Sequence, residues 1–313
     1  MKVLITGGAG FIGSNFVRYL LKSGYKLKVL DKLTYAGRKE NLKGVLKEIN
    51  FLRGDITNPK DVDKAIKGCK VLVNFAAESH VDRSIKNPAP FLKTNIWGTQ
   101  VLLEKALQHK IELFIQISSD EVYGSISKGF FTESSSLNPS SPYAVSKASA
   151  DLLCLSYLKT FGLPVIIIRS SNNYGPFQYP EKLIPLSILR AIRDKKIPVY
   201  GKGRNIRDWL YVADNCRAIE LIMKRGKIGQ IYNVGGGEER KNIEVVKMIL
   251  KKLAKPQSLI EFVQDRPGHD YRYAMDWSKL KKMGWKPEIN FEQGLEMTVR
   301  WYLENENWWK GII

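Results

Sequence analysis

The sequence predicts a doubly wound α/β fold built on one parallel sheet, with a smaller, interleaved α/β domain in its second half. Three observations carry that reading. Short β-branched runs alternate with helix-length amphipathic segments through about residue 174. Several of those runs, among them "VLVNFA", "LFIQIS" and "PVIIIRS", are mostly apolar without strict alternation, as expected of buried parallel strands covered by helices on both faces. A glycine-rich segment, "TGGAGFIG", lies between the first run and the first amphipathic segment.

Taken in order, "KVLIT" is a strand, and Phe11 to Lys22 reads as a helix stopped at Gly24. "LKVLD" is the second strand, and "RGDIT" follows a further one. The segments "FLKTNIWGTQVLLEKALQH" and "PYAVSKASADLLCLSYLKTFG" repeat apolar residues at helical spacing. After about residue 174 the texture changes, because "NNYGPFQYPEKLIP" is dense in Pro, Gly and Tyr and later elements are shorter. "IYNVGGG" at 231–237 reads as one more core strand. The expected division is therefore 1–174 for the first domain, with 206–237 returning to it, and 175–205 with 238–313 for the second.

The chain has 313 residues, enough for one large or two modest domains. No apolar stretch approaches the roughly 20 residues of a membrane helix. No charged-then-apolar leader precedes the first strand, so no export signal is expected. Three scattered cysteines, Cys69, Cys154 and Cys216, argue against a disulfide framework or zinc site and for a cytoplasmic setting. The formal net charge is +19, from 50 Lys+Arg against 31 Asp+Glu. The lysines are spread through stretches such as "IRDKKIP", and no basic block carries interleaved aromatics. A lysine-rich solvated surface is the first reading, attraction of an anionic substrate the second, and nucleic-acid binding the third. The same composition fits a heat-adapted source.

The glycines of "TGGAGFIG" satisfy Gly7-x-x-Gly10-x-x-Gly13 and, from Gly8, the tighter G-x-G-x-x-G. They let the chain turn sharply and let a pyrophosphate approach the amides that open a helix, here at Phe11 and Ile12. The flanking strand and helix give the motif its weight as a Rossmann dinucleotide loop. Asp31 ends the next strand, where an acid suits an adenosine ribose diol and repels a phosphate. NAD is expected over NADP, although Lys32 follows. Asp55 and Ile56 stand where an adenine edge and face are held, or else in a surface turn with the aspartate as helix cap.

"SPYAVSKA" puts Tyr143 and Lys147 four apart, on one helix face. A free phenol, with a pKa of about 10, is a poor base at neutral pH, and a nearby ammonium lowers that value. Ser119 can bridge Tyr143 and a substrate oxygen. "ISSDEVYG" then sets Asp120 and Glu121 side by side at a strand end. Adjacent carboxylates repel, which keeps one protonated and divides the pair into an acid and a base.

These blocks, with "DKLTYAG", "NFAAESHVDRSI", "SNNYGPFQYPEKLIP", "RDWLYVADN" and "DRPGHDYRYAMD", closely resemble the extended short-chain dehydrogenase/reductase family. Within it they resemble the dTDP-glucose 4,6-dehydratases nearly end to end. The resemblance implies an NAD-dependent hydro-lyase that forms a 4-keto-6-deoxy sugar nucleotide. It implies Ser119, Asp120, Glu121, Tyr143 and Lys147 as catalytic residues. It extends the cofactor contacts to Leu33, Thr34, Ala76, Ala77, Ser79, Thr94 and Asn173. Substrate contacts implied are His80, Asn172, Lys182, Leu183, Pro198 and Tyr200, with Arg207, Asn242, Arg266 and His269 for the nucleotide and diphosphate. Each charge-assisted bond from an arginine is worth about 1.5–3 kcal/mol. By residue type alone, each arginine reads equally as a salt-bridge partner, His80 as a structural histidine, and Pro198 and Tyr200 as core. One departure is Ser119, where the family usually has threonine; the hydrogen bond survives, the rotamer-fixing methyl does not.

No metal site is expected, since the three histidines lack ligand spacing. Partners expected are a sugar nucleotide, dTDP-glucose first, and a second copy of the chain packed through 93–109 and 142–161. Nucleic acid and membrane are not expected. The rival readings are another NAD-dependent sugar-nucleotide enzyme, whether a UDP-glucose dehydratase, an epimerase or a decarboxylase. More remote is a non-catalytic dinucleotide sensor or RNA-binding relative.

Overall fold

The computed structural model describes residues 1–312. Its first half runs β1 (Lys2–Thr6), α1 (Phe11–Lys22), β2 (Lys26–Asp31), β3 (Asn50–Arg53), α2 (Pro59–Ile66) and β4 (Val71–Asn74). There follow α3 (Val81–Lys86), α4 (Ala89–Phe91), α5 (Gly98–Gln108), β5 (Leu113–Ser119), α6 (Pro142–Phe161) and β6 (Val165–Ser170). The second half holds β7 (Asn172–Tyr174), α7 (Leu183–Ile192), β8 (Ile197–Tyr200), β9 (Ile206–Tyr211), α8 (Val212–Arg225) and β10 (Ile231–Val234). It ends with β11 (Glu239–Lys241), α9 (Asn242–Lys252), β12 (Ile260–Val263), α10 (Ser278–Lys282), α11 (Phe291–Glu304) and α12 (Glu306–Trp309).

The main sheet has seven strands in the order β3-β2-β1-β4-β5-β6-β10, every pair parallel. Its two faces separate by the alternation of side chains along each strand. Val3 and Ile5 pack with Phe16 and Leu20 of α1 and Ile219 and Ile222 of α8. Leu4, between them, packs on the other face with Val62, Leu102, Ala106 and Cys154. All six residues of β6 are buried, as its apolar run requires. The strand order reverses between β1 and β4, and the crevice beyond the strand ends there is where ligands bind in sheets of this kind.

Local chemistry explains both ends of α6 and the shape of the helix before it. Ser141 caps α6 by accepting from the Ala144 amide, Pro142 presets its first turn, and Gly162 closes it at φ +72°. The expected helix over 91–109 is interrupted by a π-helical turn at Leu92–Trp97. The wider turn aims Asn95 inward, where it exchanges two bonds with the Glu78 backbone and donates to Ser146 Oγ at 2.8 Å. It thereby ties the loop after β4 to α6.

Of the stretch 206–237, α8 and β10 return to the main layer, while β9 does not. β9 pairs with β7 and β11 in a three-stranded sheet, and β8 pairs with β12. Tyr174, Trp209 and Tyr211 of the small sheet pack with Ile184, Ile249, Phe291 and Leu295 in a second core.

Candidate active site

Two adjoining chambers open along the carboxyl ends of the main sheet. The first is lined by the glycine loop and by residues after β2, β3 and β4. Gly7 sits at φ +68°, and a Cβ there would stand 2.6 Å from the Ala76 amide nitrogen. A Cβ on Gly13 would come within 2.3 Å of the Gly7 carbonyl oxygen, so the helix meets the loop at backbone contact. At Gly10 an added Cβ meets only that same oxygen, at 3.2 Å, leaving room for a ligand at the helix start. The helix α1 opens with no side-chain cap and no acidic residue in its first turn, so its amides are offered to an anion.

Asp31 holds the far wall. Its two oxygens accept from the amides of Ala9 and Leu33, both at 2.8 Å. Burial pushes its carboxyl up, and those two amides oppose the shift. Lys32 bends away to pair with Asp55 at 2.7 Å. Burial works to raise Asp55, but Lys32 and the Thr57 amide hold it below the usual carboxylate range. Asp55 makes its own turn onto Thr57, and the cap of α2 is Asn58. This donor set fits a dinucleotide: free helix-start amides for phosphate, an acid for ribose, and crowding that only glycine relieves.

Ser119 stands at the seam between the chambers. It ends β5 and caps the tight 3₁₀ turn Asp120–Tyr123, its Oγ accepting from the Glu121 amide at 3.2 Å and donating to Asp120 Oδ1 at 3.0 Å. The turn sends both carboxyls into the second chamber. Burial first, and the charge of Glu121 second, push Asp120 up to about 8. Its Oδ2 is buried without a hydrogen-bond partner. Burial also raises Glu121, but Arg266, Lys182 and Arg207 pull it back toward ionisation. The environments thus split an acid from a base.

Tyr143 and Lys147 reach the seam from one face of α6. Burial raises the Tyr143 phenol, Glu121 adds to that, and a hydrogen bond with Ser119 opposes it. Lys147 donates to the Ile117 carbonyl at 2.5 Å, and burial lowers its ammonium to about 8.

The second chamber extends from the acids to the small sheet. Arg207 is buried and bonds only to backbone carbonyls, those of Ile206, Tyr271 and Asp270, while lying 4.2 Å over the Tyr273 ring. Its charge is therefore fixed and not spent on a carboxylate. Arg266 pairs with Asp82 at 3.3 Å, and Asp82 also accepts from Tyr200 at 2.8 Å. Asn172 Oδ1, Asn242 Oδ1, Trp209 Nε1 and Arg266 Nε are buried without partners around this chamber. Orphaned polar atoms in such number mark a ligand site rather than a core.

The family model described as GDP-mannose 4,6 dehydratase matches residues 4–298. The chain belongs to that family. Among its relatives, a low-salt glycan biosynthesis protein of Haloferax volcanii is 52% identical over 98% of this chain and all of its own. A dTDP-glucose 4,6-dehydratase of Streptomyces niveus is 48% identical over all of this chain and 96% of its own. A crystal structure of the dTDP-glucose 4,6-dehydratase of Streptomyces venezuelae, with NAD and dTDP bound, matches with TM-score 0.98 and 46% identity, covering both chains completely.

On this dehydratase scaffold most expected residues line the two chambers. The first takes Gly7, Gly10, Phe11, Ile12, Gly13, Asp31, Lys32, Thr34, Asp55, Ile56, Ala76, Ala77, Ser79 and Thr94. Leu33 is an exception: at φ +59° it turns its amide back to Asp31 and is not part of the wall. Asn173, expected at the cofactor, lines the second chamber, because β7 begins past the end of β6 and faces the small sheet. That chamber also takes His80, Asn172, Lys182, Leu183, Pro198, Tyr200, Arg207, Asn242 and Arg266. His269 stands one layer back, edge-on to Tyr200 at 5.9 Å and bonded to Asp265. His80 serves two purposes, capping α3 through the Arg83 amide while facing the chamber. Burial lowers its pKa, so it is neutral at neutral pH.

Sequence reasoning missed Asp82, Glu181, Trp209 and Tyr273 in the walls. Asp82 and Glu181 lie beside recognised positions in "SHVDR" and "YPEKL", but nothing in residue type separates them from surface acids. Glu181 accepts from Tyr35 at 2.9 Å and pairs with Arg83 at 3.2 Å, joining three distant segments.

Proposed function

We propose that the chain is a dTDP-glucose 4,6-dehydratase, converting dTDP-glucose to dTDP-4-keto-6-deoxyglucose and water by oxidation, elimination and reduction in one site. The observation that carries this is Asp120 beside Glu121, one carboxyl kept protonated and the other faced by three cations that oppose the rise from burial, in the cavity that also holds Ser119 and Tyr143. An epimerase or decarboxylase needs no proton donor for a hydroxyl at carbon six.

Gly7, Gly10 and Gly13, with the amides of Phe11 and Ile12, hold the pyrophosphate of NAD, and Asp31 holds its ribose. When bound, NAD supplies the hydride acceptor for carbon four and the donor for carbon six. Tyr143 removes the carbon-four hydroxyl proton, with Ser119 bridging and the Lys147 charge favouring the phenolate. The resulting ketone acidifies the carbon-five hydrogen. Glu121 takes that proton, and Asp120 gives its own to the carbon-six hydroxyl, which leaves as water. Glu121 then returns a proton to carbon five. Arg207 and Arg266 hold the diphosphate, and Tyr200 with Pro198 holds the base. In this reading the chain through β6, with α8 and β10, forms the cofactor-holding unit, and the remainder, β7 included, holds the sugar nucleotide.

The test is dTDP-glucose carrying deuterium at carbon four. The product is expected to be lighter by one water and to carry the label at carbon six. Label lost to solvent, or turnover of UDP-glucose in preference, would overturn the assignment.

The expected dimer also finds support. Leu92 and Trp97 before α5, and Val145, Leu152 and Phe161 on α6, are large apolar side chains left exposed on neighbouring helices. A second copy packed helix to helix would cover them. Sedimentation is expected to show a dimer that Leu152→Glu with Phe161→Glu converts to monomer; a monomeric parent chain rejects it. The cysteines are buried and free, which suits a cytoplasmic enzyme.

A further inference from the structure

The stripe that carries Tyr143 and Lys147 continues one turn further. Asp151 follows on the same face of α6, at i+4 from Lys147 and i+8 from Tyr143, and it is fully buried. Residues at that spacing have Cβ atoms about 5–6 Å apart. Arg169 of β6, itself 2% exposed, donates through Nε to Asp151 Oδ2 at 2.9 Å. Asp151 Oδ1 has no hydrogen-bond partner. Lys147 is buried too, and the bond shown for its ammonium goes to a neutral carbonyl. A buried ammonium without a nearby anion is expelled or loses its proton.

We propose that Asp151 is a positioning residue for catalysis, supplying the counter-charge that keeps Lys147 an ammonium beneath Tyr143. This rests on the dehydratase reading, in which that charge favours the phenolate. Arg169 keeps Asp151 ionised in turn, and the face of Tyr123, 4.7 Å away, shares the arginine's charge. The shifts on the lysine and the carboxylate agree in direction, while the Asp151 charge acting directly on Tyr143 raises the phenol, so its help to the phenolate comes through Lys147. Burial lowers Lys147, and Asp151 acts against it. Burial raises Asp151, while Arg169 and Lys147 act against that. The other titratable groups bearing on the stripe are Cys154 on α6, and Glu121 and Asp120, whose charges reach Tyr143 from the turn after β5.

The bland alternative is that Asp151 exists only to neutralise Arg169. Asp151→Asn and the pair Asp151→Asn with Arg169→Gln separate the two. Lys147 ionisation is read directly from its ¹³Cε resonance in lysine-labelled protein without substrate, assigned by its loss in Lys147→Met. Both variants are expected to lower the Lys147 pKa by about one unit or more, a tenfold change in the ionised fraction where it titrates. They are expected to lower kcat with KM nearly unchanged, and to raise the carbon-four deuterium isotope effect. Asp151→Glu restores a large part of both. If the double variant regains parental kcat and Lys147 titration, the carboxylate serves Arg169 alone and the proposal fails. If Lys147 titrates as in the parent in every variant, it fails as well. Absence of dehydration by the parent would instead sink the underlying reading and leave the lysine titration to stand.

Discussion

Glu121→Gln is expected to lower dehydration by about 10²–10⁴-fold, the usual worth of a positioned base. Exchange of the carbon-five hydrogen with solvent should vanish with it. NAD binding should not change, because Glu121 lines the second chamber and is absent from the wall of the first. The first step is expected to survive and even to ease at low pH, since the Glu121 charge is one cause that raises the Tyr143 phenol. Removing it favours the phenolate. Proton exchange at carbon five is followed by mass spectrometry in D₂O on the keto intermediate or product. Parental exchange in the variant would remove Glu121 from this role.

Asp120→Asn is expected to separate the acid from the base. The Asp120 carboxyl is raised to about 8, so it is protonated and competent through neutral pH and loses its donor as pH climbs past that value. The kcat/KM profile should therefore fall on the alkaline side of about 8. Lys147 titrates in the same range, so the profile of the parent enzyme does not by itself assign the limb. A leaving group that needs no proton does. With dTDP-glucose, Asp120→Asn should cost about 10²-fold or more; with the 6-deoxy-6-fluoro analogue, from which fluoride departs unaided, the loss should be small. Equal losses on the two substrates would show that Asp120 is not the donor.

Both predictions rest on a two-residue motif legible in the chain, yet the roles depend on surroundings that are not. "SSDEVYG" says that a strand ends in a hydroxyl and two acids. That Asp120 holds its proton follows from near-complete burial, and that Glu121 is raised less than burial alone would raise it follows from Arg266, Lys182 and Arg207. Those cations come from positions far along the chain. Leu33 and Asn173 show the limit of position-by-position expectation. Backbone direction at φ +59° turned one inward to Asp31, and the break between β6 and β7 placed the other in the wall of the second chamber.

The sequence by itself determined what depends on neighbours within a turn or a strand. Such features are the alternation that sorts Val3 and Ile5 from Leu4, the glycine spacing that lets α1 meet the loop at backbone contact, and the Tyr143–Lys147 interval. These are set by repeats of two and of 3.6 residues, which any reader of the chain can count. Tertiary structure alone decided what depends on convergence. It joined Asp82 to Tyr200 and Arg266, put Arg169 against Asp151, and opened a π-helical turn so that Asn95 reaches Glu78 and Ser146. Charge interaction and desolvation act through space, and the low-dielectric interior that gives them their strength exists only once the chain has folded around it.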